Sequence, residues 1–488
     1  MAPLLSKSKY LAGLQCPKYL WMQIHEPQRI PEVDAVTQYT FDQGHLVGEY
    51  AKQLFPTGID IRQDDFMENI ATTKKLLAER KPLFEAGILS GRIYCRLDIL
   101  NPANEDEWDI IEIKSGTSVK EVYIDDVAFQ KFCCEKAGLE IRHCKLGFIN
   151  KQYVKNGEID PKELFILEDI STPVEEIGES IEERVFNLLE VISNKACPEA
   201  SIGQHCLAPY ECPLRGECWG FLPENSVFDL RGGKTKQFSL FEQGISSIKD
   251  IPDDIPLSRQ QQIQKECVMT GNVHVEKEEI RRFLNKLKYP LYYLDFETFG
   301  PAIPLYNGTR PYQDIPFQFS LHVIEDDASE PVHHSFLADG REDPRPQILR
   351  ELQRLLGSEG RIIAYNAGFE EGILRELVEA FPEYTHWLEG ILTRMVDLLF
   401  PFTNFHYYNA SQKDTASLKK VLPAVTGKGY EEMGIGAGMD ASIAFVRITC
   451  GDATQEEISQ VRADLLKYCK LDTEGMIWVV DKLRELSD

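Results

Sequence analysis

Apolar positions fall at strand spacing in two runs of the first half, "GRIYCRLDIL" and "EWDIIEIKSG", which bracket the turn-forming "NPANEDE" and predict a pair of strands. Next, "DDVAFQKFCCEKAGL" has a helical pattern stopped at Gly138, and "CKLGFINKQYV" reads as a further strand. From about 223 to 288 the pattern breaks into short polar pieces such as "DLRGGKTKQ" and "DIPDDIPLSRQQQIQ", which predict a linker with small helices. Within it, "LFEQGISSIKDIP" looks like half of a small helical hairpin that contacts a DNA backbone, a plain spacer being the alternative. Strands and helices alternate again from Lys288: "LYYLDFETFG" is a covered strand, "RIIAYNAGFEEGIL" a strand running into a helix, and "LLKYCKLDTEGM" a helix. The pattern predicts an α/β chain with lobes at 1–222 and 289–488 joined by 223–288.

A length of 488 residues exceeds what one core usually serves, in keeping with that division. Hydrophobic content of 43% and charged content of 27% are those of ordinary globular proteins. No apolar run reaches the roughly 18 residues of a membrane span, and "MAPLLSKSKY" lacks the long apolar stretch of a signal peptide. A cytoplasmic protein without a membrane partner is therefore expected. The net charge of -25 argues against coating nucleic acid through the overall field, while leaving room for local basic grooves. Twelve cysteines in a reducing compartment point to buried thiols or metal ligands rather than disulfides. Cys95, Cys133, Cys134, Cys144, Cys267, Cys450 and Cys469 lie in apolar or amphipathic runs and are expected in cores.

Two acids interrupt the covered strand. Asp295 and Glu297, two apart, face the same way. At about 6 Å and an effective dielectric of about 20, two carboxylates repel by roughly 3 kcal/mol, so something must hold them. Further acids at the ends of other elements suit divalent cations: Glu370 stands where its strand turns into a helix, and Tyr468 and Asp472 share one helical face. In this order the motifs resemble the DnaQ-like exonucleases of the RNase H superfamily, over roughly Tyr292–Asp488. Asp295 and Glu297 match the Asp-x-Glu motif; Asn366, Phe369 and Glu370 match Asn-x-x-Phe-Asp with one extra methylene; Tyr468 and Asp472 match Tyr-x-x-x-Asp. "VDLLFP" and "SLKKVLP" lie between the last two, as in such enzymes. The resemblance implies an RNase H-like mixed sheet, Mg²⁺ or Mn²⁺ held by Asp295, Glu297, Glu370 and Asp472, and Tyr468 as the catalytic group that orients the attacking water. Asp397 reads as a helix cap or support residue rather than a ligand.

In the first lobe, Asp98 lies on one strand of the predicted pair, and Glu112 and Lys114 share a face of the other. Two carboxylates beside a lysine suit metal-assisted phosphodiester hydrolysis, with Asp98 and Glu112 binding Mg²⁺ and Lys114 steadying the water and the developing charge; surface salt bridges are the alternative. Cys206, Cys212 and Cys218 follow this core, and Cys16 lies far before it. One cysteine upstream with three clustered downstream resembles the iron-sulfur RecB-like nucleases, the AddB type and the CRISPR-associated group among them, over roughly residues 5–222. That resemblance implies a PD-(D/E)XK restriction-endonuclease-like fold, with Gln130 as a further catalytic residue in a Gln-x-x-x-Tyr motif whose Tyr is Cys134 here. It also implies a 4Fe-4S cluster on Cys16, Cys206, Cys212 and Cys218 that clips the N-terminus to the far end of the domain. Zinc and unliganded thiols are the alternatives, and Cys197 is the nearest impostor. The early histidine of such domains is unmatched: Gly48 stands in its place, with His45 three residues before.

The combination resembles a bacterial family of two-nuclease proteins. It implies a metal-dependent nuclease acting on DNA, at single strands or ends, through two separate sites. A nucleic-acid-binding scaffold with one or both sites inactive, and an RNA exonuclease, are the alternatives.

Overall fold

In the first half, the helices α1 (Lys7–Gln15), α2 (Pro17–His25) and α3 (Ala35–Lys52) precede a sheet that contains, in spatial order, β1 (Leu83–Ser90), β2 (Ile93–Pro102), β3 (Glu107–Lys114), β4 (Glu140–Ile149) and β5 (Phe165–Asp169). β1, β2 and β3 are antiparallel neighbours, as the predicted pair requires. β3 and β4 run parallel, and the crossover that parallel strands need is supplied by α4 (Glu121–Lys136). β3 pairs only with the Ile99–Pro102 end of β2; the other end takes Leu5–Ser6 as a short parallel partner. Trp108 and Ile110 of β3 pack with Val127, Phe129 and Cys133 of α4, while Ile111 and Ile113 join Ile99 and Val47 in a second cluster. The period of two therefore puts Glu112 and Lys114 on the side of α4.

The computed structural model describes residues 3–61, 65–430, 438–451 and 453–488. It divides the chain into two units: Met1–Phe221 with Pro301–Gln313, and Leu222–Gly300 with Asp314–Asp488. Each is mixed α/β. The stretch 223–288, expected as a linker, belongs to the second unit: Ile280 and Phe283 enter its core, and Gln264 donates to the Tyr408 hydroxyl at 3.1 Å. Apolar anchors scattered among polar residues, Phe228, Leu230, Phe238 and Ile263 among them, are buried along it. Conversely Pro301–Gln313, expected in the second lobe, counts with the first unit, where Ala302 and Ile303 enter a cluster with Ile99 and Ile113.

The second unit carries α5 (Arg259–Thr270), α6 (Lys277–Leu284), and a five-stranded sheet whose strands in chain order are β6 (Leu291–Phe299), β7 (Ile315–Ile324), β8 (Val332–Leu337), β9 (Arg361–Ala364) and β10 (Met395–Asp397). Its spatial order is β8-β7-β6-β9-β10, antiparallel on the β8 side and parallel on the β10 side. The helices α7 (Arg345–Leu355) and α9 (Leu418–Thr426) flank α8 (Ala367–Ala380) in sequence, and α10 (Gln455–Ser487) ends the chain. Tyr292, Leu294 and Phe296 pack with Leu349 of α7 and Leu374 of α8, whereas Leu291 and Tyr293 pack with Leu422 of α9 and Met476 of α10. Asp295 and Glu297 continue the second row, toward α10.

Among the described residues, no helix is long and apolar enough to cross a membrane. Cys95, Cys133, Cys134, Cys144, Cys267 and Cys469 are buried, as expected of core thiols. The side chain of Cys450 lies outside the described residues.

Candidate functional site

At the end of the row on β6, Asp295 and Glu297 meet Tyr468, Cys469 and Asp472 of α10, all but Asp295 fully buried. β9 ends at Ala364, and the chain turns through Asn366 at φ 73°, a left-handed conformation that Asn tolerates better than most residues. The first turn of α8 then presents Glu370, 2% exposed. Asp397 braces this turn by accepting the N–H groups of Asn366 (3.0 Å) and Leu399 (2.9 Å), the support role read from sequence.

Asp472 and Glu370 both act on Asp295 and on Glu297. Burial, then Asp472, Glu297 and Glu370, push the Asp295 carboxyl well above its ordinary range, and burial with Asp472 and Glu370 does the same to Glu297. Burial pushes Glu370 up to about 8, and its Oε2 is buried with no hydrogen-bond partner. Asp472 rises to about 6, because burial outweighs the hydrogen bond from Tyr430 and the Lys419 ammonium. Lys419 lies 5.0 Å from the Tyr468 ring and 5.6 Å from that of Tyr430. The Cys469 thiol donates to Asp295 Oδ2 at 3.5 Å. Asp295, Glu297 and Cys469 offer ligand atoms within 4.8 Å of one another, a grouping that no other three His, Cys, Asp or Glu among the described residues make. The buried oxygen donors, the orphaned Glu370 oxygen among them, fit divalent cations.

These carboxyls bind protons more tightly folded than unfolded. Without metal, their contribution to stability is full below about pH 4, the range of unperturbed carboxyls, and is lost as pH rises through about 6 for Asp472 and about 8 for Glu370. In EDTA the melting temperature of the second unit should fall between pH 5 and pH 8.5, with a smaller fall in Glu370→Gln; Mn²⁺ should raise it at pH 8 and barely at pH 5. Calorimetry across that window checks this, and an equal response to Mn²⁺ at both pH values would contradict it.

In the first unit, Lys114 Nζ donates to Glu112 Oε1 (2.7 Å) and Asp126 Oδ2 (2.6 Å). Gln130 Nε2, one turn after Asp126 on α4, donates to Glu112 Oε2 (2.8 Å) and Asp126 Oδ1 (3.0 Å). A second ammonium arrives from the chain start: the pairing of Leu5–Ser6 with β2 sets Lys7 where its Nζ donates to Glu112 Oε1 at 2.8 Å. Asp98 on β2 accepts the Ile113 N–H at 2.8 Å, and burial with the Glu112 charge pushes it up to about 7. Glu112 moves the other way: burial opposes ionisation, but Lys114 and Lys7 hold it far below the usual range. Burial likewise opposes the charge on Lys114, and Glu112, Asp126 and Asp98 hold its pKa well above the ordinary value. Asp98 and Glu112 are the carboxylates here that could hold a divalent cation. A cavity of about 970 Å³ opens on this network and is lined also by His45 and Gly48 of α3. Cys134, in the place of the motif's Tyr, packs in the core.

Cys16, at the junction of α1 and α2, lines one small pocket with Cys206, Cys212 and Cys218. Burial, with the other three thiols adding to it, pushes Cys212 up to about 11. Cys197 is exposed and does not line the pocket.

Lys7, Asp126, Lys419, Tyr430 and Cys469 have no place among the residues read from the sequence as functional. Asp126 could have been found from its place one turn before Gln130, and Lys419 lies in "SLKKVLP". Nothing local marks Lys7, which is 105 residues from Glu112.

Residues 292–417 match a family described as a "Domain of unknown function (DUF2779)". Two similar proteins are "Uncharacterized protein MG366" of Mycoplasma genitalium, 26% identical over 225 residues, and "Uncharacterized protein MG366 homolog" of Mycoplasma pneumoniae, 26% identical over 216 residues. These alignments take in 41% and 39% of this chain, and span about a third of the length of the two relatives, 33% and 32%.

Proposed function

We propose that the chain is a metal-dependent nuclease that hydrolyses phosphodiester bonds of DNA, at single strands or ends, through two separate sites. The observation that carries this reading is the buried group of Asp295 and Glu297, whose ligand atoms lie with that of Cys469 within 4.8 Å, with the charges of Glu370 and Asp472 acting on both acids. Divalent cations bound there would supply an activated water and stabilisation of the leaving oxygen. The chain's own groups set the stage: Asp295 and Glu297 stand side by side on one strand, Tyr430 fixes the Asp472 carboxyl by a hydrogen bond, Tyr468 stands one helical turn before Asp472, and Glu370 keeps one oxygen unengaged. In the first unit, Lys114 holds its proton firmly, so it serves charge as a donor rather than as a base. Digestion of end-labelled single- and double-stranded DNA and RNA in Mg²⁺ or Mn²⁺ tests the reading, with shortening of single-stranded DNA expected and none in EDTA.

A second reading, a nucleic-acid-binding scaffold, is favoured by one feature of the first unit: both Glu112 oxygens are engaged, by Lys7, Lys114 and Gln130. Inertness of the protein toward every polynucleotide would favour it.

The four-cysteine pocket supports a 4Fe-4S cluster that ties α1 and α2 to the far end of the unit. Anaerobically purified protein should be brown and carry about four irons per chain. Cys16→Ala should lose that iron and destabilise the first unit, whereas Cys197→Ala should keep both; iron analysis with calorimetry decides, and the reverse outcome would show the ligand set to be wrong.

A further inference from the structure

Beside the cavity that holds Asp98 and Glu112, a second groove of about 520 Å³ shares Lys114 and Ser115 with it. Its walls bring together Tyr123, Tyr210 and Tyr312 with Lys114, Lys120 and Lys151. The single acid there, Asp126, is already paired with Lys114 at 2.6 Å. In a chain of net charge -25 this is a local inversion of sign. The aromatic groups are individually placed. The Tyr123 ring lies 5.3 Å from the Lys114 ammonium and 5.7 Å from that of Lys120. Tyr210, 53% exposed, projects from the loop between Cys206 and Cys212; its carbonyl accepts from Gln15 Nε2 at 2.6 Å. Tyr312 adopts φ 60°, rare for a bulky side chain, and its hydroxyl donates to the Ser115 carbonyl, next to Lys114.

We infer that this groove binds the unpaired bases of a single nucleic-acid strand, with Tyr210 as the stacking surface and Lys120 and Lys151 on the phosphates. Every base has a π-face, so aromatic rings among cations hold a strand without reading its sequence, and neither feature alone would select it. An acidic peptide would use the lysines but would leave Tyr210 without a role. The inference rests on the nuclease reading only in that the strand would be led past Lys114.

The test measures binding without chemistry. A fluorescent 20-nucleotide oligothymidylate is titrated by anisotropy into the full chain without divalent cation. Tyr210→Ala should weaken binding about five- to a hundredfold, the worth of one stacked base, and Tyr210→Phe should stay within about threefold. Because Tyr210 is half exposed, its truncation spares the core. Lys120→Ala with Lys151→Ala should reduce the slope of log K against log salt by about 1.4, two phosphate contacts on a single strand. An oligonucleotide carrying 5-iododeoxyuridine, irradiated on the wild type, should crosslink to Tyr210. Absence of binding, equal binding by Tyr210→Ala, crosslinks confined to the second unit, or equal competition by polyglutamate would each overturn the inference. If Lys114→Ala loses cleavage while Tyr210→Ala binds normally, the inference falls and the nuclease reading stands. If Tyr210→Ala weakens binding while the wild type cleaves nothing, the reverse holds.

Discussion

Asp295→Asn should abolish the stabilisation of the second unit by Mn²⁺ and lower its cleavage activity by about a thousandfold or more. The amide keeps the shape of the carboxylate but not its charge, and a cation that stabilises a phosphodiester transition state by several kcal/mol, each 1.36 being tenfold, is lost with it. At 100 times its Kd a cation would add about 2.7 kcal/mol to wild-type stability, and this increment should vanish in the variant. The sign without metal is equally informative. Asp295 lies among Asp472, Glu297 and Glu370, whose charges oppose its ionisation together with burial. Replacing this disfavoured carboxyl by a neutral amide should therefore leave metal-free Asp295→Asn at least as stable as wild type at pH 8. Calorimetry with and without Mn²⁺ reads both effects; a variant less stable without metal and equally stabilised by it would mean that Asp295 acts through hydrogen bonds alone.

Lys114→Ala should reduce cleavage by the first unit by about a hundred- to a thousandfold, the cost of removing one donor aimed at developing charge. Lys114 also neutralises Glu112 and Asp126, which are buried, so its loss should destabilise the unit as well. Lys114→Arg separates the two roles. It keeps the charge, and so most of the stability, but its broad planar fork cannot reproduce a point donor between two carboxylates. Activity lost in both variants with stability retained in Lys114→Arg is the expected pattern, read from cleavage rates and melting temperatures. Cleavage by both variants at the wild-type rate would leave Lys114 a structural ion-pair partner.

Much of the framework was legible because it is local. The period of two in "EWDIIEIKSG" and "LYYLDFETFG" sets Glu112 beside Lys114 and Asp295 beside Glu297 before any tertiary contact is known, and each pair is found on one face of its strand. Tyr468 and Asp472 follow from one helical turn in the same way. What escaped is non-local. Lys7 reaches Glu112 because a two-residue strand pairs with the unpartnered end of β2, and Lys419 reaches the acids because α9 packs on α10; neither lysine differs in sequence from a solvated one. The same holds for the unit boundaries. Polar pieces between 223 and 288 read as a linker because burial of Ile280 or Phe283 depends on surfaces made elsewhere in the chain, and "PAIPLY" carries no sign that it counts with the first unit.

The most direct test of two separate sites compares wild type, Lys114→Ala, Asp295→Asn and the double variant on end-labelled single-stranded DNA in Mn²⁺. Each single variant should retain a distinct part of the wild-type product pattern, and the double variant should produce none. A double variant that cleaves as fast as wild type, or a wild type that cleaves nothing, would contradict the account.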